Sequence, residues 1–520
     1  MLVRIDPINH KLIVTNAGYY ELKTLENHLT RFTKNYRFQQ RYKLRLWDGK
    51  ETVFRKDGIL DLGLWKEIAK LCQEMGYEFK VENKAEFPLN REVSKEGVHK
   101  WLLRFFRDHK HPKKPQEPLL PRDYQLDGCY EILRNRYCNA EIATSGGKTL
   151  MFSMFAFYYL GEINPDGKIL LIVPSITLVN QFYDDIVNFN EGAYGENTKP
   201  IDLRIQEIMS DKPRKVAKGY EPNLYIATYQ SLDNYPKDWF KQFDAVVADE
   251  AHTAKAKTLN KILKWSIPHA YYRWGMSGSY PDENGIDILK IQAVTGPIIK
   301  EVKAHELQQK GYISNVKIKA ILVNHGETDF HVNVTEVRKV DGKAAYDLEK
   351  SKVQVSEKRK NLIAKILSGT KQNSLILFHN IDHGKALFER MCQIEGRRVY
   401  YIDGNVGAEE RVRIKAEMNR TDSPAILVAS YGTLSTGVSI DAIVNVVFAD
   451  SFKSEQRIIQ SIGRALRLHS EKSMAYIFDI VDIFDANPAL KQNVLYSHYL
   501  ERTMIYRSEK FPYEEIRINL

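Results

Sequence analysis

A glycine-rich loop carries the clearest chemistry in this sequence. Residues 142–149 read Ile-Ala-Thr-Ser-Gly-Gly-Lys-Thr and lie between an apolar run that predicts a strand and a run that predicts a helix. Glycines let backbone amides turn towards a phosphate, and the following helix directs its positive end at the anion. The first position of the usual phosphate-loop pattern holds Ile142, so a chance match stays open for the loop alone. The candidate phosphate-binding residues are Thr144, Ser145, Gly146, Gly147, Lys148 and Thr149.

Two adjacent carboxylates, Asp249 and Glu250, end the apolar run 243–248. Ligands of parallel sheets bind at the edge where the strands end. Thr149 and Asp249 can hold Mg²⁺, Lys148 can neutralise the β- and γ-phosphates, and Glu250 can orient or deprotonate the attacking water. An acidic pair alone is more often a solvated turn. Together with the glycine-rich loop, the pair predicts a site that binds ATP and Mg²⁺ and hydrolyses the γ-phosphate.

Three residues about two hundred positions further on, Gln460, Arg464 and Arg467, are spaced for one face of a helix. The transition state of phosphoryl transfer spreads charge over the γ-oxygens, and cations from outside the phosphate loop can neutralise that charge. Alone, this stretch would be interpreted as an exposed basic helix face. In combination with the loop and the acidic pair, we expect Arg464 and Arg467 to complete the catalytic site, with Gln460 beside them.

The elements that must position these residues follow an α/β pattern. Apolar strands alternate with amphipathic helices over residues 119–305, and the series restarts over residues 306–488. This predicts two tandem parallel-sheet lobes, which resemble lobes of the RecA type; we expect the first to bind the nucleotide and the second to supply the arginines. Residues 1–108 predict a small α+β module, the proline-rich residues 109–118 a linker, and residues 489–520 a helical tail. The polar segment 328–353 is interpreted as an insertion in the second lobe.

Composition narrows the class of protein. Lys and Arg exceed Asp and Glu by 76 to 66 over 520 residues, with a net charge of +10, which favours polyanionic partners about as much as it favours a merely soluble surface. The four cysteines are far apart and predict neither a zinc site nor a disulfide framework. No run is long and apolar enough to span a membrane, so we expect no membrane partner and a cytoplasmic location.

Taken in order, these stretches resemble the superfamily 2 helicases of the DEAH-box type from about residue 121 to 482. Residues 121–125 resemble the motif whose glutamine reads adenine, and residues 275–279 resemble the motif that couples the nucleotide state to the strand. Further matches are residues 172–178, 228–231, 377–379 and 430–438. The resemblance implies nucleotide contacts by Arg122, Gln125 and Gly437, and nucleic-acid contacts by Pro174, Ser175, Thr228, Gln230, His379 and Thr433.

A narrower resemblance is to the phage UvsW-type branch-migration helicases, carried by residues 42–50, 143–148 and 428–432. It implies ATP-dependent remodelling of forked and four-way DNA in replication, recombination and repair, by a monomer in the host cytoplasm. Residues 31–50 hold seven basic residues and five aromatic residues against one acidic residue, which suits phosphates and exposed bases. An aromatic core under a solvated basic face is an equal interpretation of the aromatics. The candidate DNA contacts here are Arg41, Lys43, Arg45 and Trp47.

Three other functions stay open at this point. An RNA helicase would contact phosphates in the same way, because only contacts to the 2′-hydroxyl separate RNA from DNA. The motor of a restriction system is disfavoured, since the sequence shows no nuclease constellation. A catalytically silent scaffold that binds nucleic acid is disfavoured because Lys148, Asp249, Glu250, Arg464 and Arg467 are all present.

Overall fold

The computed structural model describes residues 1–84, 90–111, 114–192, 199–210, 219–266, 270–420, 423–435, 440–452, 458–459, 461–463, 474–485 and 492–520. The chain forms two compact units. The first comprises Met1–Ile142 with Gly147–Val302, and the second comprises Ala143–Gly146 with Lys303–Leu520. None of the helices in these described ranges is both long enough and apolar enough to cross a membrane.

The first unit begins with a small α+β module. Its four-stranded sheet has the order β5-β2-β1-β6, in which β1 runs antiparallel to β2 and parallel to β6. A second pair, β3 and β4, is antiparallel. The elements are β1 Leu2–Asp6, β2 Lys11–Asn16, α1 Tyr19–His28, β3 Thr30–Phe32, α2 Gln40–Lys43, β4 Lys50–Thr52, β5 Ile59–Asp61, α3 Trp65–Glu74, β6 Lys80–Val81, α4 Lys95–Phe105, β7 Lys110–His111 and β8 Lys114–Pro118.

The rest of the first unit is a RecA-like lobe. Its seven-stranded sheet has the order β11-β12-β10-β13-β14-β9-β15, and every neighbouring pair is parallel. The central strands are apolar and buried because helices cover both faces. The elements are α5 Asp123–Arg134, β9 Tyr137–Ile142, α6 Lys148–Tyr158, β10 Ile169–Val173, α7 Ile176–Glu191, β11 Ile205–Ile208, β12 Leu224–Thr228, α8 Tyr229–Leu232, β13 Ala245–Asp249, α9 Lys257–Lys261, β14 Tyr272–Ser277, α10 Ile286–Thr295 and β15 Ile298–Val302.

The N-terminal module and this lobe share one apolar core. Leu12, Leu25 and Ile68 of the module belong to the same buried cluster as Leu289 of the lobe. At Gly63 the two backbones approach closely, because a Cβ there would lie 2.0 Å from the carbonyl oxygen of Gln292 in α10. The module is therefore built onto the lobe by its backbone as well as by its side chains.

The second unit is another RecA-like lobe, with a seven-stranded parallel sheet in the order β18-β19-β17-β20-β21-β16-β22. The two parallel lobes and the preceding module confirm the predicted fold class. The elements are α11 Ala304–Gln309, β16 Asn315–Asn324, α12 Thr328–Val340, α13 Gly342–Val355, α14 Glu357–Ser368, β17 Ser374–Phe378, α15 Ile381–Met391, β18 Arg398–Ile402, α16 Ala408–Met418, β19 Ala425–Ser430, α17 Tyr431–Ser435, β20 Asn445–Phe448, β21 Met474–Ile483, α18 Val494–Ser508 and β22 Tyr513–Asn519.

The polar segment 328–353 forms the helix pair α12 and α13, which packs against the C-terminal helix α18 through Val334, Ala345 and Val494. The Glu349 carboxylate accepts hydrogen bonds from the backbone amides of Val494 and Leu495, at 2.9 Å each. Since the first amides of a helix have no partner inside the helix, Glu349 caps α18. The segment thus holds the C-terminal helix on its lobe.

Three details of the predicted organisation differ from the structure. The proline-rich residues 109–118 were expected to lack regular structure, but β7 and β8 pair there, since prolines are tolerated in edge strands. The tail is not wholly helical, because the chain continues from α18 into β22, which pairs in parallel with β16. The alternating residues 42–47 predict a short extended run, but α2 ends at Lys43, and Arg45 has a φ of +57°.

A buried ion pair fixes the tail to its lobe. Arg502 of α18 donates to both carboxylate oxygens of Asp479 in β21, at 2.9 and 2.8 Å, and to the carbonyl oxygen of Phe452 at 2.9 Å. Both side chains are 1% exposed. Removal of one partner leaves the other charge buried without its counter-ion, which is strongly unfavourable.

We therefore expect Arg502→Ala to lower the free energy of unfolding of this lobe by about 3–5 kcal/mol. The control is Arg507→Ala on the same helix, because Arg507 is partly exposed and contacts the hydroxyl of Tyr513. Urea unfolding followed by circular dichroism measures both variants. Equal midpoints for the two variants would contradict the structural role of the Arg502–Asp479 pair.

Candidate nucleotide site and nucleic-acid contacts

The glycine-rich loop connects β9 to α6 in the first lobe. Ser145 and Gly147 have φ angles of +70° and +79°, and the amide of Gly146 donates to the carbonyl oxygen of Ala143 at 2.9 Å. Glycine suits position 147 for a steric reason in addition to its positive φ, since a Cβ there would lie 2.4 Å from Nε2 of Gln125. Helix α6 begins directly after this turn, so the loop places Lys148 and Thr149 in its first turn. This is the geometry in which a helix start binds an anion.

The predicted acidic pair lies at the carboxyl end of β13, as expected. Asp249 is the last residue of that strand, and Glu250 follows with a left-handed φ of +48°. Lys148 Nζ is 3.5 Å from Oε1 of Glu250, so the loop lysine and the second carboxylate lie in one site. The sequence separates them by about a hundred residues, and the parallel sheet brings them together.

Two further side chains contact the Glu250 carboxylate. His252 Nδ1 lies 3.2 Å from its Oε2, and the hydroxyl of Ser277, at the end of β14, lies 3.4 Å from the same oxygen. His252 Nδ1 is 2.8 Å from the Ser277 hydroxyl, which in turn donates to the carbonyl oxygen of Ser279 at 2.8 Å. Neither His252 nor Ser277 was predicted to contact Glu250. The pairing of β13 with β14 brings Ser277 close, because it sets Asp249 beside Met276, and the turn after β13 brings His252 close.

The two carboxylates differ in their electrostatics. Burial, and then the neighbouring Glu250 charge, raise the pKa of Asp249 well above its usual range. Burial also opposes ionisation of Glu250, but the charge of Lys148 and the hydrogen bond from His252 outweigh it and lower the pKa of Glu250. Glu250 is thus held as a carboxylate, the form in which it can orient or accept a proton from water.

These residues fit a nucleotide with its magnesium ion. Oδ1 of Asp249 is buried and makes no hydrogen bond within the described part of the chain, which suits an oxygen reserved for a cation. The described residues contain no group of three or more His, Cys, Asp or Glu side chains placed to hold a metal. A magnesium ion held by one or two side chains takes its other ligands from phosphates and water, and Thr149 and Asp249 would hold it here. Bound there, it would supply positive charge to the developing phosphate charge.

Of the other predicted nucleotide contacts, some lie near the phosphate loop and the rest lie outside the described residues. Gln125 is 3% exposed, and its Oε1 accepts a hydrogen bond from the backbone amide of Arg122 at 2.9 Å. Its amide nitrogen faces Gly147, so both residues lie beside the phosphate loop. Thr144 lies within the loop, partly exposed. The remaining predicted residues lie outside the described residues, namely Gly437, Gln460, Arg464 and Arg467.

Several hydroxyls predicted to contact nucleic acid already cap or brace local structure. Ser175 caps α7, and Thr228 caps α8 by accepting from the amide of Ser231. The Thr433 hydroxyl lies 2.6 Å from that of Ser430. These contacts give each hydroxyl a structural role and leave a role towards phosphate as a prediction.

The other residues of the lobes that were predicted to contact nucleic acid are partly or fully exposed to solvent. Gln230 is exposed, and its amide lies 3.5 Å from the carbonyl oxygen of Pro174, so these two belong to one edge of the first lobe. In the second lobe, the ring of His379 lies against Tyr431, with ring centroids 4.5 Å apart. Gln230 is therefore the best-placed lobe residue to meet a ligand from solvent.

In the N-terminal module, the four predicted DNA contacts lie on one short segment. The Arg41 guanidinium lies 3.9 Å above the Trp47 ring, and the Trp47 indole donates to the carbonyl oxygen of Lys50 at 2.7 Å. Lys43 and Arg45 are exposed. Some neighbouring aromatics pack on each other, as with Phe32 and Tyr36, so both interpretations of these aromatics hold in part.

Comparison with known proteins decides the family. The family model for DEAD/DEAH box helicases matches residues 122–284, that for the helicase conserved C-terminal domain matches residues 357–469, and that for the N-terminal region of the DNA helicase UvsW matches residues 8–82. The ATP-dependent DNA helicase uvsW of Enterobacteria phage T4 is 30% identical over 498 residues, covering 93% of both chains. The chain belongs to the UvsW family of helicases. It is accordingly an ATP-hydrolysing helicase of superfamily 2.

Solved structures with lower identity agree on the fold. The ATP-dependent Type ISP restriction-modification enzyme LlaBIII, solved bound to DNA, is 15% identical with a TM-score of 0.56, covering 87% of this chain and 36% of its own. Dbp5 of S. cerevisiae, solved with RNA and ADP BeF3, is 17% identical with a TM-score of 0.50, covering 77% of this chain and 90% of its own. These likenesses extend to the fold of the motor lobes.

A substitution of Ser277 tests the hydrogen-bond network around Glu250 in this helicase. Ser277→Ala removes the bridge between His252 and the Ser279 carbonyl. If residues 275–279 couple the nucleotide state to the strand, as their resemblance implies, we expect the number of base pairs unwound per ATP hydrolysed to fall about tenfold, the equivalent of one lost hydrogen bond. Parallel assays of phosphate release and strand displacement give this ratio. A ratio equal to that of the parent protein would show that the bridge plays no part in coupling.

Proposed function

We propose that this protein is an ATP-driven motor that unwinds or branch-migrates forked and four-way DNA in replication, recombination and repair. The observation that carries the proposal is the extent of the similarity. It covers the N-terminal module as well as both motor lobes, in a relative whose name describes an ATP-dependent DNA helicase. A motor fold alone would support only a translocase of unspecified substrate.

We assign each step of nucleotide binding and hydrolysis to particular residues. The loop amides and Lys148 bind the phosphates, Thr149 and Asp249 hold Mg²⁺, and Glu250 orients the attacking water and accepts its proton. Gln125 and Arg122 contact the base side of the nucleotide, with Gly437 contributing from the second lobe. Arg464 and Arg467, with Gln460, neutralise the charge that develops on the γ-phosphate.

The proposed DNA contacts are made without reading sequence. Pro174, Ser175, Thr228, Gln230, His379 and Thr433 offer backbone and small polar groups, which hold phosphates and leave base edges unread. In the N-terminal module, Arg41, Lys43 and Arg45 supply charge, and Trp47 supplies a ring that can stack on a base where strands separate. We propose that the protein acts as a monomer on DNA.

Strand displacement on matched substrates tests this function and its main alternative. Forked DNA, a four-way DNA junction and an RNA duplex of the same sequence are compared at equal protein and ATP concentrations. We expect ATP-dependent separation or branch migration of both DNA substrates and little displacement of RNA. Preferential displacement of the RNA duplex would favour an RNA helicase, and loss of junction activity in a Lys43→Ala, Arg45→Ala variant, which changes exposed side chains alone, would support the role of the module.

A further inference from the structure

A basic cleft of about 660 Å³ lies between the N-terminal module and the first lobe, within one compact unit. One wall is formed by the segment around α9 and by α10, and the other by residues 52–55 of the module. Asp61 is the one carboxylate among the described residues that line it. Seven basic side chains line this lysine cleft, namely Arg55, Lys237, Lys255, Lys257, Lys261, Lys264 and Lys290.

The charge of the lysine cleft is only partly balanced. Five of the seven basic side chains have a carboxylate partner: Lys255 with Asp287 at 2.8 Å, Lys261 with Asp233 at 2.9 Å, Lys264 with Asp61 at 2.6 Å, Lys290 with Glu51 at 2.5 Å and Arg55 with Asp57 at 2.6 Å. The pairs of Lys255 and Lys261 are partly exposed, and such pairs contribute little stability, so these two lysines can exchange their carboxylates for a phosphate. Lys237 and Lys257 are exposed and form no ion pair with any residue in the described ranges. The cleft thus keeps positive charge available to an anion.

The lysine cleft also connects the two candidate DNA surfaces of this unit. At one end, Asp233, the partner of Lys261, directly follows α8, the helix that carries Gln230. At the other end, the Glu51 carboxylate contacts Lys290 at 2.5 Å and Arg41 at 3.6 Å. A polyanion that lies across Gln230 and reaches Arg41 would therefore pass along the lysines.

The side chains that line the cleft suit the phosphate backbone of a duplex better than they suit a single strand. Six of the seven basic side chains are lysines, whose ammonium groups act as point charges that neutralise phosphates, and the one arginine, Arg55, is paired with Asp57. Single-strand sites add rows of aromatic rings on which bases stack, but Phe54 is the one aromatic residue among the described lining residues. A duplex keeps its bases stacked inside and presents its phosphates to a surface of this kind.

From these observations we infer that the lysine cleft binds the phosphate backbone of a duplex arm of the DNA substrate. This inference rests on the proposed function, because it assigns one arm of a branched substrate to a surface away from the nucleotide site. The contact would hold the arm in place while the motor lobes act on the strand at the branch point.

The test replaces the two unpaired lysines together, as Lys237→Ala with Lys257→Ala. The control, Lys70→Ala with Lys80→Ala, removes the same charge from exposed positions of the module that pair with Glu74 and Glu78. Fluorescence anisotropy over a salt series gives the Kd of each protein for a fork with duplex arms and for a single strand. Thermal unfolding confirms that all the proteins fold.

We expect the cleft variant to bind the fork about tenfold more weakly, with the slope of log K against log salt reduced by about 2, and to keep its affinity for the single strand. The control should match the parent on both ligands. Unchanged fork affinity would overturn the inference in favour of a solvated surface. An equal loss on both ligands would overturn the duplex assignment. If the parent protein binds forks but does not unwind them, the proposed function fails while a selective loss still supports the cleft as a duplex site.

Discussion

Glu250→Gln should lower kcat for ATP hydrolysis by about 10³-fold and leave nucleotide binding in place. The substitution preserves size and removes only the negative charge and the proton-accepting oxygen, and general bases contribute about 10²- to 10⁴-fold. The structure supports this choice of residue because Lys148 and His252 both contact the Glu250 carboxylate and keep it ionised. Phosphate release measured at saturating ATP and DNA gives the change in kcat.

Two measurements separate this result from a general loss of fold or binding. A fluorescent ATP analogue should bind the Glu250→Gln protein with close to the parent affinity. Glu74→Gln, at an exposed position of the N-terminal module, is the matched control and should hydrolyse ATP at the parent rate. Parental turnover by the Glu250→Gln protein would remove Glu250 from the mechanism.

Lys148→Ala should affect both binding and turnover, in contrast to the first variant. Lys148 is the first residue of α6, and its ammonium group lies beside Glu250, where the β- and γ-phosphates of a bound nucleotide would meet it. Its loss removes a cation from the phosphates and also the charge that keeps Glu250 ionised. We expect kcat/KM for ATP to fall about 10²- to 10³-fold, with weaker binding of the ATP analogue.

The control for this lysine is Lys23→Ala, which removes an exposed lysine paired with Glu26 on α1. It should leave kcat/KM unchanged. If Lys148→Ala lowered kcat while the analogue bound as tightly as before, the lysine would act only in the transition state, and its assignment to ground-state phosphate binding would be wrong.

The central strands of both lobes could be predicted from the sequence because they are buried on both faces and therefore continuously apolar, as in Ile169–Val173 and Ser374–Phe378. Three of the four outermost strands were missed. Ile205–Ile208, Ile298–Val302 and Tyr513–Asn519 mix charged and apolar residues because one side of an edge strand meets solvent. For the same reason the tail was predicted as helical throughout, although its last strand completes a sheet.

The candidate site divides in a similar way. Lys148, Asp249 and Glu250 were predicted because each lies at or just beyond the end of a strand, and strand ends of a parallel sheet meet at one edge. The contact of Glu250 with Ser277 depends on the register between β13 and β14, and that with His252 depends on the turn that follows β13; the sequence pattern predicted neither. The cap formed by Gln125 and the lysine cleft depend likewise on side-chain direction and on how the N-terminal module docks against α10.

The most direct test of the motor is phosphate release by the full-length chain with Mg²⁺ and ATP, measured with and without forked DNA. We expect hydrolysis that DNA stimulates about tenfold or more and that is lost in the Glu250→Gln protein. Binding of forked DNA without hydrolysis, at any DNA concentration, would show that the chain is not a motor and identify a scaffold that kept the fold but not the chemistry.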